Sequence, residues 1–206
     1  MRDATLRTLV GAFAALLMGG AAAAQTPLPR VAIETDAGQI VVEVDVERAP
    51  VTAANFLAYV DKGLFRGGSF YRVVHSKNDN NAYPITVVQG GLGPEDRPSP
   101  LPPIRHEPTS ETGLRHDDGA ISMARDGPGT ASSEFFIVMG DQPALDFEGS
   151  RNPDRQGFAA FGHVVKGMEV VRRINRARTA KGGQEAYTRG QRLEKPVTIR
   201  EVRRLP

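Results

Sequence analysis

The residues of this chain leave few kinds of chemistry open. It has no cysteine, which removes disulfides, thiolate nucleophiles and cysteine-based zinc sites. Its four histidines, His75, His106, His116 and His163, show neither His-x-x-x-His nor Glu-flanked ligand spacing. Gly-x-Ser-x-Gly is absent. Asp79 and the pair Asp117–Asp118 fall in turn-like sequence, where aspartate serves local hydrogen bonding. Hydrolytic and metal-assisted reactions therefore have no anchor. What stands out is a guanidinium, Arg72, inside the apolar run 70–74 (FYRVV), and an amide, Gln89, at the end of 86–89 (TVVQ). Strand context alone makes Arg72 an outward-facing arginine with its stem packed on a sheet, and Gln89 a polar strand-end residue. Oriented donors of this kind could also stabilise charge that develops during a reaction without any nucleophile.

These side chains need a scaffold, and the totals allow one. The 206 residues suit one domain plus a processing segment, with 40% hydrophobic and 24% charged residues, as in ordinary globular proteins. The net charge is only +2, from 26 Lys+Arg against 24 Asp+Glu, and no dense basic run occurs, so no nucleic-acid partner is expected. Arg2 and Arg7 precede the apolar run Leu9–Met18 and the small residues Gly19–Ala24. This is the three-part secretory signal pattern, with cleavage expected after Ala24. The apolar run falls short of the roughly 20 residues a membrane span needs, so no stable insertion is expected once it is removed. The expected location is the periplasm or the medium. Residues 25–30 read as a short extended leader, and 31–206 as the domain.

Val31–Glu34 and Gln39–Val44 bracket Asp36-Ala37-Gly38, a hairpin signal. Ala49–Lys62 reads as a helix, with Pro50 in its first turn, Gly63 as its stop, and Val51, Ala54, Leu57, Ala58 and the following Phe65 on the buried face. Further strands are expected at 70–74, 86–89, 119–124, 134–139, 158–165 and 196–202, and an amphipathic helix at 167–178 with Met168, Val171, Ile174 and Asn175 on one side. Residues 75–85, 92–118 and 141–156 read as loops, the second unusually long. Many short strands with two helices point to a barrel or sandwich.

Several segments, in order, resemble the cyclophilins: 70–73 (FYRV), 89–91 (QGG), 121–124 (ISMA), 133–137 (SEFFI) and 161–164 (FGHV), with 49–56 and 166–171 resembling that family's two helices. The resemblance runs from about Val31 to Val202. It implies a mainly β fold, a closed eight-stranded antiparallel β-barrel capped by two α-helices, with a substrate groove on its outer surface. It implies a peptidyl-prolyl cis/trans isomerase with no cofactor and no metal, acting on proline-containing polypeptide clients; a monomer is expected. Rotation about an X-Pro bond breaks amide conjugation and leaves the proline nitrogen pyramidal, and a donor aimed at that nitrogen favours the twisted state over either planar one.

By this resemblance Arg72 is the catalytic donor and Gln89 supports it. Val87, Phe136 and Leu145 line the proline pocket or its floor, Ala124 and Arg125 present backbone to the substrate, and Met123 is pocket floor or core. The chain departs from the family in places. Thr86 and Val87 stand where a Gly-Phe-Met run is usual, Phe158 where His or Tyr is common, Ala144 where tryptophan is common, and Glu134 where the usual residue is glutamine. A weaker pocket follows, which phenylalanine at position 86 should strengthen and which Tyr83 or Ile85 could partly rebuild. Weak cyclosporin binding follows too. Glu134, facing the groove, is expected to pair with Arg72 and temper its field. The competing reading is a periplasmic protein-binding or chaperone module with weak or no isomerase activity.

Overall fold

The computed structural model describes residues 27–93, 98–182 and 186–206. The expected signal segment, 1–24, lies outside the described residues. Eight strands follow in chain order: β1 (Arg30–Thr35), β2 (Gly38–Val44), β3 (Ser69–Val74), β4 (Val87–Gly91), β5 (Ala120–Met123), β6 (Phe135–Val138), β7 (Ala159–Lys166) and β8 (Arg192–Arg204). They close into a barrel in the order β1-β2-β7-β5-β6-β4-β3-β8, every pairing antiparallel. Closure leaves no free sheet edge. The last strand is longer than the expected 196–202, since its first residues pair with β3 and its last with β1. Among the described residues there are three α-helices: α1 (Pro50–Asp61), the one-turn α2 (Thr109–Thr112) and α3 (Met168–Asn175). α2 lies inside what the sequence reads as an unstructured loop.

Alternation along the strands sorts residues into two apolar clusters. The barrel interior takes Val73, Val88, Ile121, Phe135, Ile137 and Phe161, with Phe56 of α1 and Ile174 of α3 closing over it. A second cluster lies on the outer face and contains Val74, Ile85, Val87, Phe136, Val138 and Leu145. In the interior, the Phe56 ring centroid lies 5.0 Å from Phe161 and 5.7 Å from Phe135. Burying each such ring contributes about 1.5–3 kcal/mol. These aromatics also fix the rotation of α1. Ala53, Phe56, Leu57 and Val60 face the barrel, whereas Ala54 is exposed and Val51 and Ala58 are half-buried. The expected Val51/Ala54/Ala58 face is thus turned aside, because seating the large Phe56 outweighs seating small alanines.

α1 ends as Pro50 and Gly63 suggest. Gly63 sits at φ 62°, its N–H donates to Val60 O, and the next N–H, from Leu64, reaches back to Tyr59 O. The start of α1 has no local side-chain cap. Glu107, from the long loop, takes that role across the fold. Its carboxylate accepts the N–H groups of Val51 (3.1 Å) and Thr52 (2.7 Å) and the Thr52 hydroxyl (2.7 Å), and it is 1% exposed. An anion at a helix N-terminus meets otherwise unpaired N–H groups and the positive end of the dipole. Asn175, at the end of α3, donates to the carbonyls of Val74 and Val87, each at 3.1 Å. Those two residues face each other where β3 meets β4, so α3 pins the strand pair that carries Arg72 and Gln89. Replacing Glu107 by Ala is expected to lower the unfolding free energy by about 2 kcal/mol. Urea denaturation checks this, and a loss below about 0.5 kcal/mol would show the cap to be dispensable.

Candidate active site

Strict alternation along β3 would send Arg72 to the same side as Phe70, into the barrel. A bulge prevents this. Phe70 pairs with Gly90 and Arg72 with Gln89, so Tyr71 is an extra residue on β3. Phe70 and Val73 both reach the interior core, and Tyr71 and Arg72 both line an outer groove of about 530 Å³. The bulge thereby delivers two consecutive polar side chains to the outer face without breaking the core.

Arg72 is held by two amide oxygens. Its Nη1 donates to Gln89 Oε1 at 2.8 Å, and its Nε and Nη2 both donate to Gln191 Oε1 at 2.9 and 2.7 Å. Three of the guanidinium N–H groups are thus engaged, and its plane is fixed. The ring of Tyr187 lies 5.9 Å from the guanidinium carbon. Gln191 is fully buried, and its Nε2 donates to Asn78 O at 2.9 Å, which sets the amide's direction. Burial pulls the Arg72 pKa below that of an ordinary arginine, with the Tyr71 and Tyr187 hydroxyls opposing; a guanidinium stays charged under such a shift. Beyond Gln89, its Nε2 donates to the Tyr71 hydroxyl at 2.9 Å, and Tyr71 donates to Glu134 Oε2 at 2.7 Å. The other carboxylate oxygen accepts the N–H groups of Leu92 (2.9 Å) and Gly93 (3.0 Å) and the Ser133 hydroxyl (3.0 Å). Burial raises the Glu134 pKa, with these hydrogen bonds opposing. Burial, and then the neighbouring Glu134 charge, push the Tyr71 hydroxyl far above its usual value, so it stays protonated.

Beside Arg72 the groove turns apolar. Ile85, Val87, Phe136 and Phe158 line it, and the Phe136 and Phe158 rings meet edge to face at 5.3 Å. Leu145 packs beneath them, fully buried. Ile85 is set by Asp79, whose carboxylate accepts the Ile85 N–H (2.8 Å) and pairs with Arg151 (2.7 Å). Phe136 is backed by His116, stacked at 6.0 Å. His116 lies between Asp146 (2.7 Å) and the Ser122 hydroxyl (3.0 Å). These three residue types could form a hydrolytic triad, but Ser122 is 0% exposed. No substrate reaches that oxygen, and the array serves as a polar brace behind Phe136. Among the described residues no cluster of His, Asp or Glu is suited to hold a metal.

Of the residues singled out from sequence, Arg72, Val87, Gln89, Ala124, Arg125, Glu134, Phe136 and Phe158 line this one groove. Two expectations are corrected and one is extended. Thr86 is not part of the groove wall. Its carbonyl accepts the Met139 N–H, and the loop held by Asp79 brings Ile85 to the wall instead, so phenylalanine at 86 would not face a ligand there. Glu134 does not pair with Arg72; its oxygens are taken by Tyr71, Ser133 and the backbone. Arg125 contributes its side chain as well as its backbone: it forks onto Asp154 (2.8 and 2.9 Å), donates to Gly157 O, and lies 5.1 Å over the Phe158 ring. That clamp holds Phe158 in place. The sequence reading missed Tyr71, Asp79, Gln191 and Tyr187. Gln191 and Tyr187 come from a stretch outside the resembling segments, where only their nearness to the start of β8 could have pointed to them.

A closed antiparallel barrel bearing an outer groove, with a clamped arginine next to an apolar pocket, defines a class, and comparison with known proteins agrees. The model of the cyclophilin type peptidyl-prolyl cis-trans isomerases matches residues 30–204. Peptidyl-prolyl cis-trans isomerase A of Dickeya dadantii is 38% identical over 163 residues, 78% of this chain and 78% of that protein. Peptidyl-prolyl cis-trans isomerase B of Escherichia coli is 31% identical over 74% of this chain and 88% of its own. A cyclophilin type isomerase of Cryptosporidium parvum, crystallised in the presence of the dipeptide Ala-Pro, shares the fold with a TM-score of 0.66 at 20% identity, covering 86% of this chain and 99% of that one. The chain belongs to the cyclophilin-type peptidyl-prolyl cis/trans isomerases. Its activity is therefore X-Pro isomerisation. Since Gln191 carries two of the three bonds that orient Arg72, Gln191→Ala is expected to lower kcat/KM about tenfold with KM little changed. Peptide exchange measured by NMR checks this, and an unchanged rate would show Gln89 to suffice.

Proposed function

We propose that the protein isomerises X-Pro bonds of exported client polypeptides through Arg72, which donates to the proline nitrogen as the amide twists. The observation that carries this is the clamp. Gln89 and Gln191 engage three of the five guanidinium N–H groups, and Arg72 lines the same groove as the apolar Ile85, Val87, Phe136 and Phe158. In the planar amide the nitrogen lone pair is delocalised and accepts poorly. At the twisted state it localises, so the same N–H group binds far better, against a barrier of roughly 18–20 kcal/mol. The donor is already oriented, so little reorganisation accompanies the reaction. The proline ring would sit against Phe136 and Phe158, with Ile85 and Val87 beside it, where water is displaced and the ring stays still while the acyl side turns.

Arg72 takes a role lysine could not fill, because an ammonium lacks the planar fork that two amide oxygens lock in place. The leader pattern at 1–24 supports export, with the mature chain beginning at Gln25 and working in the periplasm or outside the cell. Arg72→Ala is expected to lower kcat/KM for an Ala-Pro peptide by about 10²–10³, the scale for loss of one oriented donor, and Arg72→Lys should not restore it. NMR exchange on a folded mutant tests this; a rate within twofold of wild type would sink the arginine mechanism. Export is tested separately by N-terminal sequencing of the protein from its native cells, where a chain still carrying residues 1–24 would refute cleavage.

A further inference from the structure

The line of hydrogen bonds through the groove runs from a cation that only donates to an anion that only accepts. Arg72 donates to the Gln89 oxygen, the Gln89 amide donates to Tyr71, and Tyr71 donates to Glu134. We infer that Glu134 is a positioning residue for Arg72, acting at two removes: as a carboxylate it sets the direction of this chain and so keeps the oxygen of Gln89 turned to the guanidinium. The inference rests on the arginine mechanism above.

The chain's direction follows from what each group can do. Tyr71 has one proton to give and lone pairs that can accept. Facing an ionised carboxylate, it must give that proton to Glu134, and its lone pair then receives the Gln89 N–H. A protonated Glu134 reverses this. Its inner oxygen, Oε1, already accepts three donors, from Leu92, Gly93 and Ser133. The added proton therefore goes on Oε2, which faces Tyr71. Tyr71 must then turn its own proton toward the Gln89 amide nitrogen, two donors meet, and the amide is driven to flip. A flipped Gln89 offers N–H groups to an arginine that can accept nothing. One of the two oxygens orienting the guanidinium is lost.

The surroundings show a carboxylate built into place. A Cβ on Gly91 would stand 2.6 Å from Glu134 Oε2, so glycine there makes the room the carboxylate occupies. Separation from Arg72 by two residues also has a use: the anion faces the cation without consuming its N–H groups. The charged groups around this line are Arg72 on β3, Arg192 on β8, whose guanidinium lies 5.0 Å over the Tyr71 ring, and Arg151, whose charge acts on Arg72 and which is itself paired with Asp79, while Asp126 lines the same groove. Burial raises the Glu134 pKa, so the carboxylate takes its proton at a higher pH than an exposed glutamate, and activity must fall as pH falls through that point.

The test is the pH profile of Ala-Pro peptide exchange by NMR for wild type, Glu134→Gln, Tyr71→Phe and Arg72→Ala, with circular dichroism at each pH to confirm folding. At position 134 a glutamine keeps its oxygen on the three inner donors and turns its NH₂ to Tyr71, so it mimics the protonated state. Wild type should show an acid limb displaced above the ordinary carboxylate range. Glu134→Gln should show no such limb and a kcat about tenfold lower at pH 7, with KM within twofold of wild type. Tyr71→Phe, which keeps the ring and cuts the chain, should likewise lack the acid limb, because protonation of Glu134 can then no longer reach Gln89. A Glu134→Gln enzyme that keeps the wild-type acid limb and rate, beside an Arg72→Ala enzyme that has lost its activity, overturns this inference alone. An Arg72→Ala enzyme that keeps its rate overturns both this inference and the arginine mechanism.

Discussion

A half-buried cation held without a carboxylate partner is the constraint on which this site depends. Desolvating a guanidinium is costly unless its N–H groups are hydrogen-bonded, and pairing it directly with a carboxylate would satisfy it at the expense of its reactivity. The structure takes a third course. Neutral amide oxygens from Gln89 and Gln191 hold three N–H groups of Arg72, and the nearest anion on that line, Glu134, is reached only through Gln89 and Tyr71. The charge is oriented and partly compensated, yet not spent on an ion pair.

Everything around Arg72 can be read as support for that arrangement. The bulge at Tyr71 turns Arg72 out of the barrel, and α3 pins β3 to β4 through Asn175. The residue just before β8 supplies the second amide, Gln191. The pocket beside it is braced in the same style, by polar groups behind apolar walls: Asp79 with Arg151 behind Ile85, Asp154 with Arg125 behind Phe158, and Asp146, His116 and Ser122 behind Phe136. Each brace holds a side chain that would otherwise sample several rotamers, and a pocket for one small ring needs fixed walls.

The long connections do more than link strands. The loop between β4 and β5 reaches back with Glu107 to cap α1, and the loop between β3 and β4 brings Ile85 to the groove wall. Thr86 and Glu134 therefore carry different weight. The first lies outside the groove wall, and the second is built into the hydrogen-bond line.

Much was legible from the residues alone. Short apolar runs bounded by turn residues placed all eight strands to within a few residues, because a chain that packs a strand against neighbours on both faces needs an apolar run and a turn to leave it. Pro50 and Gly63 marked the bounds of α1, because their backbone preferences are local. The ordered segments from Phe70 to Val164 identified the family and, with it, Arg72 and Gln89. What the sequence could not decide were the facts made by pairing across the fold. The rotation of α1 was set by where Phe56 finds Phe135 and Phe161, and the outward aim of Arg72 by a bulge that exists only in the register of β3 against β4. Gln191, 119 residues from Arg72 in sequence, and Glu134, joined to it only through Tyr71 and Gln89, became part of the site when the barrel closed. Local propensity acts over a few residues, whereas hydrogen-bond partners are chosen by distance in space, and only the tertiary structure supplies that distance.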